Sequence, residues 1–171
     1  VIYSPSNDGE LRASMKKALY GCKGIAAVRY PKGEAVRSKS DDSGYDVYFY
    51  ECGGRALIIT YGRITANALE TAKRLNADLL QMVRIYPIVE KTFQIAEKYD
   101  KIVFFEEGIR SGGIAEKFSS ELLERGWNGK YRINAVSDRF VKYSDTEKQL
   151  SDYNLDTAGM IRVTGELIEQ T

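Results

Sequence analysis

The run Arg29-Tyr30-Pro31-Lys32-Gly33 is the first stretch whose residue types and spacing could do chemistry. It follows a short apolar segment, so it falls where a strand ends, and open α/β sheets hold their ligands at strand ends. Pro31 fixes the chain and Gly33 lets it turn, which would hold the Lys32 ammonium near a defined point. A fixed ammonium there suits a phosphate or carboxylate group. The same residues also fit a solvated basic loop. A second candidate is Glu106-Glu107-Gly108, followed by Ser111-Gly112-Gly113 at the start of a helix. Two glutamates at a strand end could act as acid and base, and a glycine-preceded helix start can hold an anion. Adjacent strand residues face opposite ways, however, so these carboxylates are not expected to share one site. Glycines at a helix start also serve close packing against another domain. Asp138, in Asp138-Arg139-Phe140-Val141, is expected to hold a turn by accepting from nearby backbone amides.

Several chemistries are excluded by what is missing. The chain has no histidine, which removes the commonest general base and transition-metal ligand and rules out a Ser-His-Asp or Cys-His arrangement. Cys22 and Cys52 form no CxxC pair and read as reduced thiols of a cytoplasmic protein. Lys and Arg total 25 against 24 Asp and Glu, so no net field is available to hold nucleic acid. Neither a GxGxxG after a strand nor a GxxxxGK[ST] occurs, and Gly126 and Gly129-Lys130 stand too close together to make one. No apolar run approaches the roughly 20 residues of a membrane-spanning helix. Histidine-based catalysis and the common nucleotide pockets are therefore not expected in the chain.

The elements that must position these residues follow from periodicity. Val1-Ile2-Tyr3 reads as a strand end, and Asn7 as a helix cap with Glu10 reaching back to it. Leu11, Met15 and Leu19 fall on one side of the helix and are expected to be buried. Ile25–Tyr30 is the next strand, halted by Pro31. This single β-α-β unit cannot cover its own sheet, which suggests a missing parent domain. Residues 37–54 read as a linker with an aromatic edge strand over Tyr45–Glu51. From residue 55 strands and helices alternate. Strands are expected at 56–61, 79–85, 102–105 and 131–136, with helices at 64–75, 89–99 and 111–125. A capping box over Ser144–Glu147 opens another helix, and Asp156 starts the last one. The expected fold is a three-layer α/β/α sandwich with a mostly parallel sheet.

In their order, these pieces resemble a known enzyme family. Ser4–Leu11, Ala27–Gly33, Thr60-Tyr61-Gly62, Glu106-Glu107-Gly108, Gly112-Gly113, Asp138–Val141 and Leu155–Gly159 together look like the carboxy-terminal third of the 1-deoxy-D-xylulose-5-phosphate synthases, transketolase-like thiamine-diphosphate enzymes. The likeness runs from end to end. It implies that residues 1–36 are the end of a pyrimidine-binding domain, 37–54 a linker and edge strand, and 55–171 a transketolase carboxy-terminal domain. It also implies a cytoplasmic homodimer that condenses pyruvate with glyceraldehyde 3-phosphate, using thiamine diphosphate and Mg²⁺ bound upstream of this chain. The chain alone is expected to bind no cofactor and to be inactive. In the family the basic residue after the proline helps bind the acceptor's phosphate. That residue is Lys32 here, with Arg29 beside it in a more structural part. The chain departs from the family pattern at Val83–Pro87 and at Lys142-Tyr143-Ser144. Another transketolase-like enzyme, or a free-standing α/β module binding a partner or an anion, remains an alternative.

Overall fold

The computed structural model describes residues 1–31, 44–137 and 140–170. Lys32, Gly33, Asp138 and Arg139 lie outside the described residues. The strands are β1 (Ile2–Tyr3), β2 (Ala27–Val28), β3 (Val47–Tyr50), β4 (Leu57–Tyr61), β5 (Asp78–Met82), β6 (Arg84–Tyr86), β7 (Lys101–Ile109) and β8 (Lys130–Val136). The helices are α1 (Asp8–Lys16), α2 (Thr65–Leu75), α3 (Glu90–Ala96), α4 (Ile114–Glu124), α5 (Thr146–Asp152) and α6 (Thr157–Glu169).

The main sheet runs β3-β5-β4-β7-β8 and is parallel except for the antiparallel edge strand β3. Its strands alternate between two cores, as a sheet covered on both faces must. Leu57, Ile59, Leu80, Met82, Ile102 and Phe104 pack toward α3 and α4 around Phe93, Phe118 and Leu122. Ile58, Leu79, Val103 and Phe105 pack toward α2 and α6 around Ala68, Ala72, Met160 and Val163. Rings fill the first core tightly, with Phe93 stacked on Phe118 at 4.8 Å between centroids. The three-layer sandwich and its mostly parallel sheet are thus as expected.

Three elements differ from the expectation. The apolar stretch at 79–85 is not one strand. It breaks at Val83, where the Val83 and Arg84 amides both donate to the Asp46 carbonyl, and β6 leaves to pair antiparallel with β1. A small second sheet, β2-β1-β6, results. The presumed buried stripe of the first helix is the outer one: Met15 is 41% and Leu19 66% exposed, whereas Glu10 and Ser14 are buried. Its inner face is polar because Glu10 accepts from Gln81 Nε2 of β5 at 2.8 Å, from the Ser6 amide and from Asn7 Nδ2. Finally, α5 is capped by Asp145, which accepts from the Lys148 amide, rather than by Ser144.

The turn before β4 is held by one carboxylate. Asp78 Oδ1 accepts from the amides of Cys52, Gly53 and Gly54 at 2.7, 3.0 and 3.1 Å, and Oδ2 accepts from the Tyr99 hydroxyl. Gly53 has φ +145, and a Cβ there would come within 2.6 Å of the Asn76 Cβ, so only glycine fits. Burial works to raise the Asp78 pKa, but the hydrogen bonds from Tyr99 and the three amides outweigh it and hold the carboxyl below its ordinary value. A depressed carboxylate pKa gives stability that is present above the unfolded value of about 3.9 and lost as pH falls through the folded value. Asp78→Asn is expected to lower stability at neutral pH by about 1.5–3 kcal/mol. It should also flatten the acid limb below about pH 4. Urea unfolding of both proteins across that range checks it; parallel acid limbs would contradict it.

Candidate functional site

The carboxyl ends of β1, β2, β4 and β7 converge on one open cleft of about 600 Å³. Ser4, Arg29, Pro31, Tyr61, Arg63 and Glu107 line it. Backbone bonds fix the meeting of the two sheets. The Ser4 amide donates to the Val83 carbonyl at 2.7 Å, and the Gly62 amide donates to the Ser4 carbonyl at 3.2 Å. Arg29 is placed by its own amide, which donates to the Tyr3 carbonyl at 2.8 Å as β2 leaves β1.

Two guanidinium groups reach the cleft in different states. Arg63 is committed: its Nε donates to Glu107 Oε2 at 2.8 Å and its Nη2 to Glu107 Oε1, a two-pronged pair. Arg29 is exposed, and its Cζ lies over the Tyr61 ring at 5.6 Å from the centroid. Among the described residues no carboxylate makes an ion pair with Arg29. Arg29 also hydrogen-bonds the Tyr61 hydroxyl, a contact that uses only part of the guanidinium's donor set.

Beneath this surface lies a buried charge. Glu106 is 3% exposed. Its Oε1 accepts from the Tyr61 hydroxyl at 2.6 Å and from the Ile114 amide at 3.0 Å, and its Oε2 accepts from the Ala115 amide at 2.9 Å. The carboxylate thus sits on the amino terminus of α4, where unpaired amides and the helix dipole favour a negative charge. Burial, and then the charge of Glu106 and the hydrogen bond to it, push the Tyr61 pKa far up, so its hydroxyl stays protonated and donates. Burial followed by the same charge raises the Tyr131 pKa well above its ordinary value.

The two glutamates do not share a site, as strand geometry requires: Glu106 points into the core and Glu107 into the cleft. The glycine-preceded helix start does hold an anion, but the anion is the chain's own Glu106 rather than a ligand. Arg29 is in the cleft. Lys32 lies outside the described residues, and Pro31, the last described residue before it, lines the cleft. Asp138 also lies outside them. Tyr61 and Arg63 received no role from sequence reasoning. The signal was present at Tyr61, because a tyrosine ending an otherwise aliphatic buried strand needs a partner for its hydroxyl.

The geometry defines an α/β sandwich with an open cleft, lined by Arg29 and Arg63, at the carboxyl ends of its strands. The family model described as transketolase, C-terminal domain, matches residues 49–160. The chain belongs to this family. It is 30% identical over 166 residues to 1-deoxy-D-xylulose-5-phosphate synthase of Pasteurella multocida, covering 94% of this chain and 27% of that protein. The corresponding synthase of Porphyromonas gingivalis is 26% identical over 185 residues, covering 98% of this chain and 28% of that protein. The chain therefore spans about a quarter of the length of these curated relatives. Among solved structures, a split-gene transketolase in an inactive β4 tetramer superposes with a TM-score of 0.77 at 22% identity, over 98% of this chain and 57% of that one. Transketolase from Leishmania mexicana gives 0.71 at 13% identity, over 99% of this chain and 25% of that one. At these identities the structures establish the fold.

Gly113 is where the buried carboxylate can be tested. A Cβ there would come within 2.6 Å of Glu106 Oε2 and 2.7 Å of the Ile109 carbonyl oxygen. Gly113→Ala must displace the carboxylate from the helix start and is expected to cost about 1–3 kcal/mol. Thermal unfolding checks it. An unchanged midpoint would show that Glu106 is not fixed where it is described.

Proposed function

We propose that the chain is the carboxy-terminal, substrate-side part of a thiamine-diphosphate-dependent synthase. The enzyme condenses pyruvate with glyceraldehyde 3-phosphate, releasing CO₂, to give 1-deoxy-D-xylulose 5-phosphate for isoprenoid, thiamine and pyridoxal synthesis. The end-to-end likeness to named synthases supports this reading. The observation that carries it is Arg29, a guanidinium without a carboxylate partner among the described residues, at the carboxyl ends of parallel strands. In this reading Arg29 takes the acceptor's phosphate, and Lys32 adds a second positive charge from the segment that follows. Both residues serve substrate binding, with no step of bond making assigned to them.

The division of the chain follows the same reading. Residues 1–36 are the end of a pyrimidine-binding domain, 37–54 a linker and edge strand, and 55–171 the transketolase carboxy-terminal domain. The exposed Leu19, Tyr20 and Ile25 fit a surface that the remainder of the first domain covers in the enzyme. Among the described residues no three Asp, Glu, His or Cys side chains gather as a metal site. In this reading thiamine diphosphate and Mg²⁺ are held by the part of the enzyme that lies upstream of this chain. No helix among the described residues is long and apolar enough to cross a membrane, and both cysteines are free. In this reading the enzyme is a cytoplasmic homodimer.

Kinetics of the enzyme containing this chain test the proposal. Arg29→Ala is expected to raise KM for glyceraldehyde 3-phosphate about 10- to 100-fold, the range of one lost charged hydrogen bond, and to leave KM for pyruvate nearly unchanged. Lys32→Ala should act in the same direction. Equal effects on both substrates would contradict the assignment. Strong activity with a different phosphorylated acceptor would point to another transketolase-like enzyme.

A further inference from the structure

We propose that Tyr61, pinned by Glu106, is the positioning residue that orients Arg29 for phosphate; this rests on the reading of the cleft given above. An arginine at a strand end has a long side chain whose rotamer freedom must be lost before it can bind an anion well. Few of the cleft's described contacts restrain Arg29 beyond its backbone: its side chain lies over the Tyr61 ring, 5.6 Å from the centroid, and no carboxylate of the described residues pairs with it. The ring can act as a fixed platform only if it is itself held. Its hydroxyl donates to Glu106 Oε1 at 2.6 Å, and that carboxylate is fixed in turn by the Ile114 and Ala115 amides. Phe104 abuts the same ring edge-on, at 6.3 Å between centroids.

A chain of contacts therefore runs from the start of α4 through Glu106 and Tyr61 to the guanidinium. Each link is directional. The Tyr61 hydroxyl stays protonated across the neutral range because burial and Glu106 raise its pKa, so the donor never becomes a repelling phenolate. Space around the link is also closed. A Cβ at Gly108 would meet Glu106 Oε1 at 3.1 Å and the Tyr61 hydroxyl at 3.5 Å. The ring offers the cation its quadrupole, and the Tyr61 hydroxyl also takes a hydrogen bond from Arg29, so the guanidinium is held at one edge while its remaining N–H donors are left for phosphate oxygens.

The test uses this chain, labelled with ¹⁵N, in wild-type, Arg29→Ala, Tyr61→Phe and Tyr61→Leu forms, with inorganic phosphate as the probe. The Arg29 Nε–Hε resonance is followed without ligand and during titration. In the wild type it is expected to be displaced by the ring current of Tyr61. Tyr61→Leu should abolish that displacement, and Tyr61→Phe, whose ring is no longer pinned, should reduce it. The phosphate dissociation constant should rise about two- to fivefold in Tyr61→Leu, the size of one exposed cation–π contact, and by less in Tyr61→Phe. If Tyr61→Leu does not fold, the phenylalanine variant alone decides, since it keeps the ring's shape. Arg29→Ala separates the two claims. If it binds phosphate like the wild type, the cleft reading fails and Tyr61 loses its role with it. If it weakens binding while both Tyr61 variants keep the wild-type affinity and Arg29 resonance, the cleft reading stands and the positioning role is overturned.

Discussion

A carboxylate taken out of water must be met by donors, and Glu106 meets that requirement with two amides at the start of α4 and one phenol. Much of the site depends on this. The amides belong to the first turn of a helix, so the end of β7 and the start of α4 have to meet at one point. Gly108 and Gly113 leave the room that the carboxylate occupies. The phenol belongs to the last residue of β4, so the strand end is tied to its neighbour through side chains as well as through the ladder. Leaving such a charge without its partners costs far more than each hydrogen bond contributes, which makes the arrangement nearly all-or-none.

The cleft exists because two sheets meet at a polar seam. Asp46 receives the backbone of Val83 and Arg84 on its carbonyl, and its carboxylate takes Lys17 Nζ at 2.5 Å and Arg84 Nη1 at 3.4 Å. Glu10 and Gln81 form a buried link from α1 to β5, and the Tyr50 hydroxyl donates to Gln81 Oε1 at 3.1 Å. These contacts set the small sheet at the carboxyl end of the large one. Ser4 and Arg29 then face Tyr61 and Arg63 across the cleft.

Much of the sandwich could be read from the chain, because its buried strands and helices repeat their apolar residues with clear periods. Ala68 and Ala72, or Phe118 and Leu122, lie where the spacing puts them. The first helix failed for a physical reason. Periodicity identifies an apolar side but not what faces it, and α1 turns its polar side inward because Gln81 offers it hydrogen bonds. The break at Val83 was hidden because apolar residues continue on both sides of it, and only the Asp46 carbonyl marks the change of sheet. At the site, the motif drew attention to Lys32 and gave Arg29 a structural part. The phenol beneath Arg29, and the Glu107 that pairs with Arg63 instead, come from strands distant in sequence and could not be read locally.

Placed together, a committed Arg63–Glu107 pair and an uncommitted Arg29 describe a cleft with one guanidinium free to take an anion among the described residues. The most direct measurement is a crystal structure of the enzyme containing this chain with a phosphorylated aldehyde acceptor bound. A phosphate oxygen within about 2.7–3.2 Å of an Arg29 guanidinium nitrogen, with Arg63 still on Glu107, is the predicted result. A phosphate bound elsewhere, with Arg29 in contact only with water, would contradict it.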